Sequence, residues 1–242
     1  MTGADSAPAL LGTPHRRRLR EMWRSAGWPC RDTVEIELLA AGLLVRRLDE
    51  MGRETLNVTD AGVQLLAATL QANRRARDAH EALVERVARD MQSAGRVVWR
   101  GLSLRAPLPA DGGSTTWALA MPDVFSIRHT TLEDCTEPVV HEIKVSRADL
   151  LSDLRNAAKG AAYLALGSQC WYVLKRGIAT ADEVPAAFGV MFADARGLDV
   201  ARPAPRRAMR LPFAVWMALA RAHAVADDSG QAQGLLGASG LD

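Results

Sequence analysis

The 242 residues predict a mixed α/β chain in two modules, helical in front and sheet-rich behind. Three observations carry this. Apolar residues recur at helical spacing through the front third, an arginine-rich joint "NRRARD" follows at 73–78, and from Arg96 the pattern changes to strand-like alternation interrupted by one helical stretch. A length prior of roughly 100 to 200 residues per domain allows one large or two modest domains. Hydrophobic residues make up 48% and 30 basic side chains face 28 acidic ones, so net charge alone names no partner. Cys30, Cys135 and Cys170 are far apart and show neither a disulfide framework nor zinc spacing, which suits a reducing compartment. The start, "MTGADSAPALLGTP", lacks the basic lead of a signal peptide, and no apolar run reaches the ~18 residues of a spanning helix. Cytoplasmic localisation is the expectation.

In chain order, "PHRRRLREMWRSA" puts Leu19, Met22, Trp23 and Ala26 on one helical stripe with arginines opposite. "TVEIELLAAG" reads as a second helix with Thr33 as N-cap and Gly42 as stop. "LLVRRLDEMGRETLNVTDAG" alternates, turns near Met51 and Gly52, alternates again and meets a helix start at Thr59 and Asp60. Helix, helix, hairpin, helix is the order of a winged helix, and "TDAGVQLL" resembles the last helix of winged helix-turn-helix domains. Arg46, Arg47 and Arg53 flank the wing tip as candidate DNA-binding residues. Apolar positions 61–70 and 83–91 form one long helix or two. Strands are expected in "RVVWRGLSLRAPL", "STTWALAMPDVFSIRH" and "EPVVHEIKVS", with Trp99, Trp117 and Trp171 filling a core. The segment 146–167 reads as a crossing helix with Ser146 as cap. "CWYVLKRG" and "AAFGVMFAD" follow as strands, then a helix at 211–225. The division is a flexible lead 1–13, a winged-helix-like domain 14–75, a second domain 76–226, and a disordered tail 227–242.

The chemistry concentrates in "VVHEIKVS". A period of two places Glu142, Lys144 and Ser146 on one face, and His141, Ile143 and Val145 on the other. The chain holds 27 arginines and three lysines, so Lys144 marks a position where a compact amine that can shift its pKa differs from a guanidinium. Asp123 follows Pro122, which cannot donate to a central ladder and marks a strand end. If the two strands are antiparallel neighbours, Asp123 and Glu142 meet, and a hard cation relieves their repulsion. Lys144 then orients a water or offsets transition-state charge.

Pro122-Asp123, a spacer of eighteen residues, and Glu142-Ile143-Lys144 together resemble the PD-(D/E)xK nuclease superfamily, and "HEIKVSRADLLSDL" resembles its MmcB-like DNA-repair group. The resemblance covers about 78–200. It implies a restriction-endonuclease-like core behind the winged helix-turn-helix-like domain. It also implies Asp123 and Glu142 as ligands of Mg²⁺ or Mn²⁺, the Ile143 carbonyl as a further ligand, Lys144 as the catalytic lysine, and Glu81 or Glu85 completing the site. Arg147, Arg155 and Lys159 on the crossing helix are candidate phosphate contacts, Arg155 and Lys159 sharing a face, and Asp149 and Asp153 lie along the same helix. His141 points away from Glu142, and His129 is placed in a loop near a substrate path. The expected partner is DNA, duplex or a repair intermediate, with a homodimer possible and no membrane. The competing functions are a non-catalytic DNA-binding regulator on a degenerate nuclease fold, and an RNA-processing nuclease.

Overall fold

The computed structural model describes residues 11–226; most of the expected lead and the whole of the expected tail lie outside the described residues. The chain is mixed α/β, with six α-helices and a mixed six-stranded sheet among those residues. It divides into two compact units, residues 1–75 and 76–242. The helix α3 (Asp60–Ser93) is continuous through Arg75, so the two apolar stretches belong to one helix.

The first unit contains α1 (Thr13–Arg24), α2 (Thr33–Ala40), the hairpin β1 (Leu44–Leu48) and β2 (Glu54–Val58), and the start of α3. Its core is leucine-rich: Leu19, Met22, Leu38, Leu44, Leu56 and Leu66. Trp23 and Ala26 are exposed, against the expected stripe: the buried face of α1 is Leu19 and Met22, and Ala26 lies beyond the helix end at Arg24. The chain then passes Gly27, at φ +75°, whose carbonyl accepts from Leu56 N at 2.7 Å. A side chain there would meet the Leu56 carbonyl at 2.2 Å, so the close approach requires glycine. The cap of α2 is Asp32 rather than Thr33: its carboxylate accepts from Glu35 N at 2.9 Å, a stronger acceptor one residue earlier. Buried Glu35 in turn accepts from the amides of Cys30 and Arg31.

In the second unit the sheet runs β10-β9-β8-β7-β6-β3. Its strands are β3 (Arg96–Arg100), β6 (Val124–Arg128), β7 (Val139–Lys144), β8 (Gln169–Lys175), β9 (Gly189–Ala193) and β10 (Leu198–Arg202). β3, β6 and β7 form an antiparallel meander, β7, β8 and β9 are parallel, and β10 returns antiparallel. The first two stretches expected to be single strands are each broken in two. β4 (Leu104–Pro109) and β5 (Thr115–Ala120) leave the sheet as a separate hairpin inserted between β3 and β6. Gly101 (φ +58°) and Pro122 make the breaks, the first by a left-handed turn and the second by its missing donor. Trp117 lies on that hairpin and is exposed, whereas Trp99 is buried in the sheet.

A parallel neighbour needs a crossover, and α4 (Arg147–Leu154) with α5 (Ala157–Leu164) supplies it between β7 and β8. One helix was expected here. The chain breaks at Arg155-Asn156, where the Asn156 side chain accepts from Lys159 N at 3.1 Å and starts a new helix. Leu83, Val84 and Val87 of α3 pack on one sheet face against Val98, Val124, Ile143 and Val173. Tyr163, Leu150 and α6 (Phe213–Arg221) cover the other face through Phe125, Val140, Tyr172 and Leu174. Both faces are therefore covered, and β7 is buried at every residue.

Candidate active site

The ladder between β6 and β7 ends at Val124, opposite His141. Pro122 cannot extend it, and the Asp123 carboxylate takes over: Oδ2 accepts from Ile143 N at 2.7 Å. In a strand the N–H and C=O of one residue point to the same side, so the Ile143 carbonyl also faces the edge held by Asp123. Glu142 and Lys144 flank Ile143 on the opposite sheet face and are 3% and 5% exposed, so they form a buried pair.

Glu142 is held at both oxygens. Oε1 receives the ammonium groups of Lys144 at 2.8 Å and Lys159 at 2.7 Å; Oε2 receives the Tyr163 hydroxyl at 2.7 Å. Lys159 and Tyr163 are four residues apart on α5, so one helix face grips the two ends of one carboxylate. Asp153 of α4 contacts Lys159 and lies 3.6 Å from Lys144, and it accepts from the Tyr172 hydroxyl at 2.9 Å. Asp149 closes the group at 3.3 Å from Lys144.

The electrostatics follow from this geometry. Burial and the neighbouring Glu142 charge raise the Asp123 pKa, outweighing the Ile143 amide. Burial alone works to lower the Lys144 pKa, but Glu142, Asp153 and Asp149 together raise it, and Lys159 is raised by the same kind of balance. These carboxylates hold Lys144 in its charged form, a fixed positive charge beside Glu142. Burial, then Glu142, raises the Tyr163 phenol, so it remains a donor. His141, on the far face, is pushed down to about 3 by burial and Arg96 and stays neutral.

The other expected residues separate. Glu81 and Glu85 are exposed on α3, and it is His80, on the inward face of the same turn, that reaches Asp123, with Nε2 3.4 Å from Oδ2. Glu81 contacts only the other ring nitrogen of His80, at 3.7 Å. Ser146 caps α4, its hydroxyl accepting from Asp149 N at 3.3 Å. Arg147 is clamped by Glu183 at 2.7 and 3.0 Å. Arg155 is the exposed C-cap of α4 and does not share a face with Lys159, because the helix breaks between them. In the first unit Arg46 pairs with Glu54 at 3.1 Å and Arg53 with Asp49 at 2.7 Å, leaving Arg47 exposed without such a partner among the described residues. His80, Tyr163 and Tyr172 had no place in the sequence reading. The i, i+4 spacing of Lys159 and Tyr163 was the available signal.

Among the described residues no three or more His, Cys, Asp or Glu side chains are grouped to hold a metal. The donors nevertheless suit a hard divalent cation. Asp123 and Glu142 repel each other, and Asp123 Oδ1 makes no hydrogen bond among the described residues. Three carboxylates (Glu142, Asp149, Asp153) face two ammonium groups, an excess of one negative charge, and Asp123 is a fourth acid, beside His80. Magnesium is commonly held by one or two carboxylates with water completing its shell, so two side chains and a carbonyl suffice.

Asp123→Asn, which keeps the acceptor for Ile143 N and removes the repulsion, is expected to raise stability by roughly 0.5 to 2 kcal/mol in EDTA at neutral pH. The sign follows from the raised pKa. The penalty of the charged carboxyl is absent below its unfolded value, about 3.9, and grows as pH rises through the folded value. Thermal melts at pH 3.5 and 7.5 check this, and an equal gain at both would remove Asp123 charge as its source.

No protein-family model matches the chain, and no curated protein matches it. A solved structure to which the chain is similar is the SPO1766 protein of unknown function from Silicibacter pomeroyi, 24% identical over 63% of this chain and 84% of that one, with a TM-score of 0.39. Among the described residues no helix is long and apolar enough to cross a membrane.

Proposed function

We propose that the second unit is a metal-dependent DNA nuclease with a PD-(D/E)xK-type core. The observation that carries this reading is the meeting of Asp123, Glu142 and Lys144 around Ile143 at one end of the sheet. Asp123, Glu142 and the Ile143 carbonyl would hold the divalent ion, which when bound supplies Lewis-acid polarisation of a phosphoryl oxygen. The chain's own groups do the rest. The Ile143 amide fixes the Asp123 carboxylate, and Tyr163 and Lys159 fix Glu142, so neither acid must reorganise when substrate arrives. Lys144, kept protonated beside Glu142, offsets the negative charge that builds on the phosphoryl oxygens. The first unit, with its order of helix, helix, hairpin, helix and exposed Arg47, would serve as a winged-helix-like duplex grip.

One observation favours a second reading, a DNA-binding regulator whose site has become structural. Glu142 already accepts three hydrogen bonds, from Lys144, Lys159 and Tyr163, so little of its acceptor capacity is left for an ion. Incubation of plasmid, single-stranded and branched DNA, and of RNA, with Mg²⁺, Mn²⁺ or EDTA separates these readings. Cleavage that requires the metal and disappears in Asp123→Asn is expected. Binding without cleavage of any DNA selects the regulator, and cleavage of RNA alone selects the RNA-processing alternative.

A further inference from the structure

At the edge where the parallel strands end, the second unit carries a basic cavity of about 520 Å³. Val145, the residue after Lys144, lines it, as do Lys175 and Ala193, the last residues of β8 and β9. Arg86 and Arg89 of α3 and Arg176 complete its charged rim, against one acid, Asp194. The floor is apolar, formed by the buried Leu83 and Ala193 with half-buried Val145 beside them. Ligands of open α/β sheets bind outside the carboxyl ends of parallel strands, and this volume lies in the ~300 to 1,000 Å³ range of small-ligand sites.

The four cations are not equivalent. Arg176 is committed to Asp194 at 2.8 Å and to Asp199, and Arg86 gives one nitrogen to the Asp194 carbonyl at 2.6 Å. Asp194 is itself satisfied by Arg176 and by the amides of Arg196 and Gly197. The side chains of Arg89 and Lys175 make no hydrogen bond or ion pair among the described residues, and Glu85, four residues before Arg89, does not pair with it. Lys175 is also the third of the chain's three lysines; the other two hold Glu142.

We propose that this cavity is a subsite for an unpaired nucleotide flanking the scissile bond, with its phosphate on Arg89 and Lys175 and its sugar and base on the apolar floor. The assignment rests on the phosphodiesterase reading above: the cavity lies on the α3 face of the sheet, opposite Lys144, and one of its lining residues, Ala79, adjoins His80, which reaches Asp123. Phosphate is the shared chemistry of a nucleic-acid strand and a free nucleotide, and the rim with its extended floor at the catalytic edge favours the strand.

The test uses the full chain in EDTA, so that binding is read without cleavage, with a fluorescein-labelled single-stranded dodecanucleotide followed by anisotropy across a salt series. The double variant Arg89→Glu/Lys175→Glu is expected to bind at least ~10-fold more weakly, with the log–log salt slope reduced by about 0.7 per contact removed. Arg89→Gln/Lys175→Gln should show the same slope change if charge reversal harms folding. Arg105→Glu, at an exposed position of β4 away from the cavity, should bind as wild type. A dodecamer blunt duplex should bind more weakly than the single strand and be less sensitive to the double variant; equal sensitivity would overturn the unpaired-nucleotide assignment. Wild-type binding by both double variants would overturn the subsite and leave the hydrolytic reading intact. Displacement of the oligonucleotide by micromolar adenosine monophosphate would make the cavity a free-nucleotide site and likewise overturn it. Weakened binding in the variants, beside a wild type that never cleaves with Mg²⁺ or Mn²⁺, would keep the subsite and end the hydrolytic reading.

Discussion

Glu142→Ala is expected to cost about 3 to 5 kcal/mol of folding stability, the range for removing one partner of a buried ion pair and leaving the rest uncompensated. The substitution strands two ammonium groups, Lys144 and Lys159, that now share Glu142 Oε1, and it leaves the buried Tyr163 hydroxyl with only the Met121 carbonyl, at 3.0 Å, as acceptor among the described residues. Asp149 and Asp153 remain, but Asp149 is half exposed and Asp153 must then serve both lysines. For a unit of this size the loss corresponds to a melting shift on the order of 10 °C. Denaturant unfolding of the full chain measures it, and a change under about 1 kcal/mol would mean that the lysines relax to water and that Glu142 is no keystone. The practical consequence concerns assays: an inactive Glu142→Ala protein says little about chemistry, whereas Asp123→Asn preserves its hydrogen bond and isolates the charge.

Lys144→Arg is expected to lower cleavage turnover by roughly 10²-fold or more while leaving DNA affinity nearly unchanged, the scale for losing one placed electrostatic group. The positive charge survives the substitution, so attraction to phosphate survives with it. What fails is fit. The Lys144 side chain is 6% exposed and its ammonium sits within 3.6 Å of Glu142, Asp149 and Asp153, a slot matched to a compact amine. A guanidinium is planar and larger, and its fork favours a bidentate grip on Glu142 that draws charge away from substrate. Lys144→Met should be as inactive and also less stable. Near wild-type turnover for the arginine variant would reduce Lys144 to a generic counter-charge.

Much of this site was legible before any coordinates. Alternation put Glu142 and Lys144 on one face, Pro122 marked the strand end that delivers Asp123, and the rarity of lysine singled out Lys144. The same rarity applied to Lys159, but a helical reading carried unbroken through Arg155 and Asn156 turned that residue toward solvent. The break depends on an asparagine capping its own helix, a local bond that periodicity does not see. His80 was missed for a related reason. Its turn of α3 offered two glutamates of the expected chemistry, and only the packing of Leu83, Val84 and Val87 decides which side of the helix faces the sheet. The β4–β5 hairpin was hidden because both its strands continue the alternation of their neighbours, and only Gly101 and Pro122 interrupt it. The wing arginines illustrate a further limit: composition counts charges, whereas Glu54 and Asp49 already engage Arg46 and Arg53.

The bond from Ile143 N to Asp123 makes a backbone proton part of the candidate active site. Every other rung between β6 and β7 closes on a carbonyl; this one closes on a side chain that a cation or a proton can also claim. Solvent exchange at that single amide therefore reads the condition of the acid from inside the sheet. It is slow while Asp123 holds its rotamer, and it quickens when the carboxyl swings away, on the free-energy scale of local opening rather than global unfolding. In a buried strand, Ile143 is a built-in spectroscopic probe of the candidate site, independent of whether any substrate has been found.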